Sequence, residues 1–146
     1  MKIYLASRYN RNAEMRQVRD RLVALGQEVT SRWIDLHGGL RPNSATTEEL
    51  NDSPGYGAEY AIADLEDIER ADVVISFTGF GGKGGRHVEF GIALALLKIN
   101  LVVGPREHVF HSLPSVGHFA TLEDLEAGLE KLQFLVDNPG SWETAE

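Results

Sequence analysis

Two acidic side chains stand where acids are out of place. Glu89 lies in RHVEFGIALALLK, a segment that is apolar nearly all round after its first turn. Burial among Val88, Phe90, Ala93 and Leu96 would favour the neutral acid, whereas a place in the first turn of a helix favours the anion by about 0.3–1 kcal/mol. Opposed effects of this kind suit a functional carboxylate. The plainer alternative is a first-turn Glu that complements the helix dipole and faces water. Asp64 is the second anomaly: Ala61, Leu65 and Ile68 define the buried stripe of their helix, and Asp64 falls on that stripe or at its edge. It serves there as a reactive acid or as a structural cap or ion-pair partner. Glu66, Asp67, Glu69 and Arg70 are expected on solvated sides, with Glu66 and Arg70 at i,i+4 spacing for an ordinary surface pair. Two inward carboxylates from neighbouring elements suit glycosidic cleavage, in which one attacks the anomeric carbon and the other handles the leaving-group proton.

A glycine-rich turn precedes Glu89. Gly79, Gly81, Gly82, Gly84 and Gly85 (GFGGKGG, 79–85) lie between a strand pattern and a helix pattern, where backbone N–H groups can hold a phosphate. The turn lacks the Lys-Ser/Thr ending of a Walker loop, and it follows a late strand, whereas a dinucleotide fingerprint belongs to the first strand–helix unit. Lys83 and Arg86 put two cations beside these amides in an otherwise acidic chain and point to an anion; the other reading is a flexible turn without a ligand. Ser7 and Arg8, just after the first strand, are placed to add donors to the same anion, and Arg8 equally suits a surface role. Trp33 is read as a stacking surface for a base or as a core tryptophan. His87, His108, His111 and His118 show no recognisable metal-ligand spacing, so no metal is expected.

The elements that must position these residues follow from the hydrophobic pattern. Residues 2–7 (KIYLAS) predict a first strand, and Met15, Val18, Leu22 and Leu25 predict a helix over 12–25 that stops at Gly26. Residues 28–34 (EVTSRWI) are β-branched and aromatic enough for a second strand. A long Gly-, Pro-, Asn- and Ser-rich insertion, 35–57, reads as a functional lid or as solvated connector. A helix over 59–70 leads to a central strand at 72–78 (DVVISFT), and a helix over 86–98 leads to a buried strand at 100–104 (NLVVG). After a His-containing loop, Thr121 caps a last helix striped by Leu122, Leu125, Leu129 and Leu132. Strands alternating with helices predict an α/β fold: a three-layer, doubly wound, Rossmann-like or flavodoxin-like parallel sheet of about five strands, with ligands beyond the carboxyl ends of the strands.

Composition bounds the rest. The 146 residues, 42% of them hydrophobic, suit one domain over 1–136 with a frayed tail at 137–146. With 14 Lys+Arg against 22 Asp+Glu the formal charge is -8, which argues against general nucleic-acid binding. Cysteine is absent, so thiolate metal sites, Fe–S clusters and cysteine nucleophiles are excluded. No apolar run approaches the ~20 residues of a membrane helix, and Met1 leads straight into a strand-like segment where a signal peptide would have a basic region. A soluble, cytoplasmic protein is expected.

The strand KIYLAS, the segment ADLEDIERADVVISF and the run GGRHVEFGIALALLK together resemble the nucleoside 2-deoxyribosyltransferase family, which includes relatives that hydrolyse nucleoside 5′-monophosphates. The resemblance covers most of the chain, and its most telling pieces are the Asp64-to-Asp72 spacing and Glu89 in its VEFG setting. It implies that Glu89 attacks C1′ of the sugar to give a covalent glycosyl-enzyme and that Asp64 deals with the proton on the departing base. Tyr4 matches a tyrosine on the first strand that positions the nucleophile, although a first-strand aromatic also serves as core packing. The loop holding His108 and His111 is similar to one that reaches a neighbouring subunit's site, which implies a homodimer or higher homo-oligomer. The resemblance implies no cofactor and no metal. The chain departs from the transferase pattern in having no acid between Asp72 and Glu89, which favours a 5′-phosphorylated substrate held by the glycine turn. A non-catalytic nucleotide-binding module is the reading from another class. A nicotinamide-dependent oxidoreductase is disfavoured because the first turn, SRYNRN, lacks glycines.

Overall fold

The structure, a computed structural model, describes residues 1–36, 46–81, 84–138 and 140. Five parallel strands, β1 (Lys2–Ala6), β2 (Glu28–Val29), β3 (Val73–Phe77), β4 (Ile99–Val103) and β5 (Val116–Phe119), form one sheet in the order β2-β1-β3-β4-β5. This is the flavodoxin-like order, with the topological switch between β1 and β3. All five residues of β3 are buried, as the continuous apolar run at the centre of a covered parallel sheet requires. The helix α1 (Asn12–Ala24) shares one face with α5 (Leu122–Ala127), since Arg21 reaches Glu123 and Glu126. The other face carries α3 (Ala58–Arg70) and α4 (Gly85–Ala95), which pack on each other. A short α2 (Thr47–Asp52) precedes α3, and α6 (Leu129–Asp137) follows α5. The core is built from Tyr4, Leu5, Met15, Leu22, Ile34, Ile68, Ile75 and Leu125, each worth roughly 1.5–3 kcal/mol when buried.

Several local expectations are corrected. The second strand stops at Val29, and residues 32–35 form a 3-10 turn, so Trp33 sits in that turn and not at a strand end. Side chains take over the ladder: the Leu5 N–H donates to Ser31 Oγ at 2.5 Å, and Trp33 Nε1 donates to the Leu5 carbonyl at 2.8 Å. Part of the insertion is helical, because Thr46 Oγ1 accepts the Glu49 N–H and caps α2; the stretch 37–45 lies outside the described residues. The loop expected after β4 contains β5. Its Gly117 disguises it; a Cβ there would come within 2.6 Å of the Leu101 Cδ2 on the neighbouring strand, so glycine leaves the Leu101 side chain its place where β4 and β5 pair. The last helix is two helices parted at Gly128, and of the expected tail Asp137 closes α6 while 139 and 141–146 lie outside the described residues.

The largest correction concerns Asp67. Instead of facing solvent it is 0% exposed and accepts from Arg32 N, Arg32 Nε and Arg70 Nη2 at 2.8–2.9 Å. Glu66 pairs with Arg32 and not with Arg70. Asp67 therefore fastens the 3-10 turn to α3. Both arginines keep more than half of their side chains in water, so removing the acid leaves solvated cations and not buried ones. Asp67→Ala should then lower stability by about 1–3 kcal/mol, the cost of the lost hydrogen bonds, read as a shift of the urea midpoint at unchanged m.

Candidate active site

The helices α3 and α4 present matching stripes to each other. Residues Tyr60, Ala61, Asp64, Leu65 and Ile68 of α3 oppose Gly85, Val88, Glu89 and Ile92 of α4, at the i, i+3, i+4, i+7 spacing of a single helical face. Between them lies a cavity of about 660 Å³, of a size for a nucleoside-sized ligand. Asp64 and Glu89 both line it and both are half-buried. The two anomalous acids of the sequence thus meet in one wall-to-wall space. Thr47 and Leu50 of α2, with Tyr56, close another side, so the insertion contributes directly to the cavity.

The setting of Glu89 differs from expectation in one respect. The helix begins at Gly85, and no acid stands in its first turn, so Glu89 sits a full turn in and the dipole acts on it only weakly. Val88 and Leu96, expected to bury it, are 63% and 44% exposed. Glu89 lines the cavity opposite the α3 stripe.

The glycine turn is held by a brace that the sequence did not suggest. Gly79, Gly81 and Gly84 all have left-handed backbone, with φ of 96°, 66° and 92°, which side chains rarely adopt. Gly84 caps α4, Gly85 opens it and lines the cavity, and Gly82 and Lys83 lie outside the described residues. Arg86, expected as a free cation for an anion, is 7% exposed and engaged: Nη1 donates to the Gly81 carbonyl at 2.6 Å and Nη2 donates to Glu107. Burial pushes the Glu107 carboxyl up, but Arg86 and the Gly79 amide outweigh it and hold it below its ordinary value. Arg8 Nη1 donates to the Phe80 carbonyl, and the Arg11 guanidinium lies 3.3 Å from the Phe80 ring centroid. Ser7, at the carboxyl end of β1, has a buried hydroxyl without a hydrogen-bond partner.

Other expected residues are placed elsewhere. Trp33 is 3% exposed with its N–H committed to Leu5, so it offers no face to a base. Tyr4 is fully buried on β1. His111 packs against its own chain, edge-on to Phe90 with ring centroids 4.9 Å apart, and does not line the cavity. Sequence reasoning missed Glu107, for which no signal exists, Tyr56 in the turn before α3, and Tyr60, for which the cue was its place one turn ahead of Asp64 on the same helical face. It also missed that His87, His108 and His111, scattered in sequence, come together in space.

The strand order and helix layers define a doubly wound α/β protein, with an acid-lined cavity between α3 and α4. Solved structures of the same fold include the CMP N-glycosidase BcmB of Clostridium botulinum, at 19% identity and a TM-score of 0.55 over 92% of this chain and 99% of that one. A 2-deoxyribosyltransferase of Bacillus psychrosaccharolyticus matches at 23% identity and a TM-score of 0.59, over 86% of this chain and 90% of that one. No family model matches the chain, and no curated protein does.

Burial, with His108 and His87 beside it and Arg86 near, pushes His111 down to about 4, against a weaker opposing pull from Glu107; His87 is lowered for the same first reason. The unfolded chain therefore binds a proton near pH 6.5 that the folded protein refuses until about pH 4. Stability contributed by neutral His111 is complete above pH 6.5 and falls by up to about 1.4 kcal/mol per pH unit between 6.5 and 4. Urea titrations across that window should show this slope, and His111→Gln should flatten it.

Proposed function

We propose that the protein cleaves the N-glycosidic bond of a nucleoside or nucleoside 5′-monophosphate, with Glu89 as nucleophile and Asp64 as the proton carrier. The observation that carries this reading is the convergence of these two acids, from different helices, on one cavity that also borders the end of the glycine turn through Gly85. The Glu89 carboxylate attacks C1′ while the bond from C1′ to the base nitrogen breaks, and Asp64 gives its proton to the departing nitrogen. Water or a second base then attacks C1′, returns a proton to Asp64 and releases Glu89 as the carboxylate. The names of both solved neighbours agree with this chemistry. Tyr4 orients Glu89 in this reading. The glycine turn, with the unpartnered Ser7 hydroxyl, takes the 5′-phosphate, and Arg86 shapes that turn from behind. Trp33 and His111 serve packing.

Leu50, Tyr56, Leu65 and Val88 expose apolar surface around the cavity mouth. We read this rim as the seat of a second copy of the chain, which closes the site to water. Val88→Lys should therefore lower the mass found by sedimentation, whereas an unchanged mass, or a wild-type monomer, removes the second copy from the reading.

Incubation with nucleosides, deoxynucleosides and their 5′-monophosphates, each with and without a second base, followed by chromatography, tests the chemistry. Base released from a monophosphate in water marks a hydrolase; a new nucleoside formed only with added base marks a transferase. Glu89→Ala should lose at least about 10³-fold in rate while keeping the wild-type unfolding midpoint within about 1 kcal/mol. Tight nucleotide binding with no product would leave a binding module in place of the enzyme.

A further inference from the structure

On the side of α4 turned away from Glu89, three histidines converge from separate segments: His87 from the first turn of α4, and His108 and His111 from the loop between β4 and β5. One ring nitrogen of each lies within 4.8 Å of the others. His87 Nδ1 and His108 Nε2 share a hydrogen bond at 3.1 Å, a spacing also close to the roughly 3.3 Å that separates two imidazole nitrogens on a tetrahedral ion with metal–nitrogen bonds of about 2.0–2.1 Å. The rings of His108 and His111 lie 3.7 Å apart and tilted by 36°. His111 is 1% exposed, and its Nε2 is buried with no hydrogen-bond partner, as is His108 Nδ1. The buried, unsatisfied His111 Nε2 beside the His87–His108 pair costs about 1–3 kcal/mol in the absence of a partner, and an ion between the rings would relieve it. The nearby charges, Arg86 and Glu107, cancel. None of the three histidines lines the acid-lined cavity.

We propose that His87, His108 and His111 form a binding site for a divalent transition cation of the zinc class. Three imidazoles with an open fourth position suit such an ion and not calcium or magnesium, which take oxygen ligands. The structure attaches a specific consequence to binding. His111 Nδ1 accepts the Glu107 N–H at 3.0 Å. Coordination through Nδ1 takes that lone pair, and coordination through Nε2 moves the ring proton to Nδ1. Either way the Glu107 amide loses its acceptor.

Zinc binding to untagged, chelator-stripped protein, followed by calorimetry and by competition with a chromogenic chelator, tests this. The expected result is one equivalent per chain, with affinity weakened at least about tenfold in His87→Ala and in His108→Ala and unchanged in His118→Gln, whose ring nitrogen meets the Gly104 carbonyl instead. In wild-type protein the metal should also speed hydrogen exchange at the Glu107 amide and, as Co²⁺, give the intense visible bands of a four-coordinate ion. These two readings need no variant to fold. No saturable binding in wild-type protein, or binding indifferent to His87 and His108, or an unchanged Glu107 amide on saturation, overturns the site. A result of either kind leaves the role of Glu89 and Asp64 untouched, because the measurement needs no turnover.

Discussion

The arrangement turns on the polar brace at the end of the central strand. β3 is buried along its whole length and must hand the chain to α4 within a few residues, through backbone at Gly79, Gly81 and Gly84 that has left the regions side chains favour. Such a turn has few contacts of its own and would sample many conformations if left alone. Glu107 supplies what it lacks: the carboxylate meets the Gly79 amide on one side and Arg86 on the other, and Arg86 in turn holds the Gly81 carbonyl. One acid from the β4–β5 loop thereby ties down both ends of the turn. The start of α4 is fixed by that arrangement, and with it the direction in which Glu89 points.

The opposite wall is set by a different fastening. α3 runs from the cavity mouth back toward the start of β3, and its inner face must carry both the cavity stripe and the contact to the sheet. Asp64 and Asp67 are three residues apart, close to one turn, yet their surroundings separate them. Asp67 is enclosed by Arg32 and Arg70 and by the Arg32 amide, so its oxygens are spent on holding α3 to the turn after β2. Asp64 lines the cavity. The structural acid orients the helix that presents the other one.

How far this was legible follows from which interactions are local. The strands at β1, β3 and β4 and the helices α1, α3 and α4 announce themselves by period, because burying one face or both is a property of the segment itself. The parallel order followed from alternation, and the pairing of Asp64 with Glu89 in one space followed from each acid interrupting an apolar stripe. What escaped is non-local. Trp33 looked like a strand-end aromatic because nothing in EVTSRWI reveals that Ser31 and Trp33 themselves satisfy the β1 ladder. Arg86 looked like a free cation because its partner lies 21 residues on. β5 was hidden by Gly117, whose purpose is visible only once Leu101 is beside it.

The same distinction explains why α4 presents an acid and a histidine to different neighbours. A helix of 11 residues presents separate stripes at about 100° per residue, so Gly85, Val88, Glu89 and Ile92 look toward α3 while His87 and Phe90 look toward the β4–β5 loop. His87 and Glu89 are two residues apart and face different neighbours. Any event that shifts the loop, through Glu107 and Arg86, acts on the first turn of α4 and on the glycine turn before it reaches the carboxylate. The loop between β4 and β5 is thus mechanically upstream of the cavity although it does not line it. A protein of this size has room for one sheet and one such helix at its switch point, so the histidine cluster and the acid-lined cavity share α4 and are linked through its first turn.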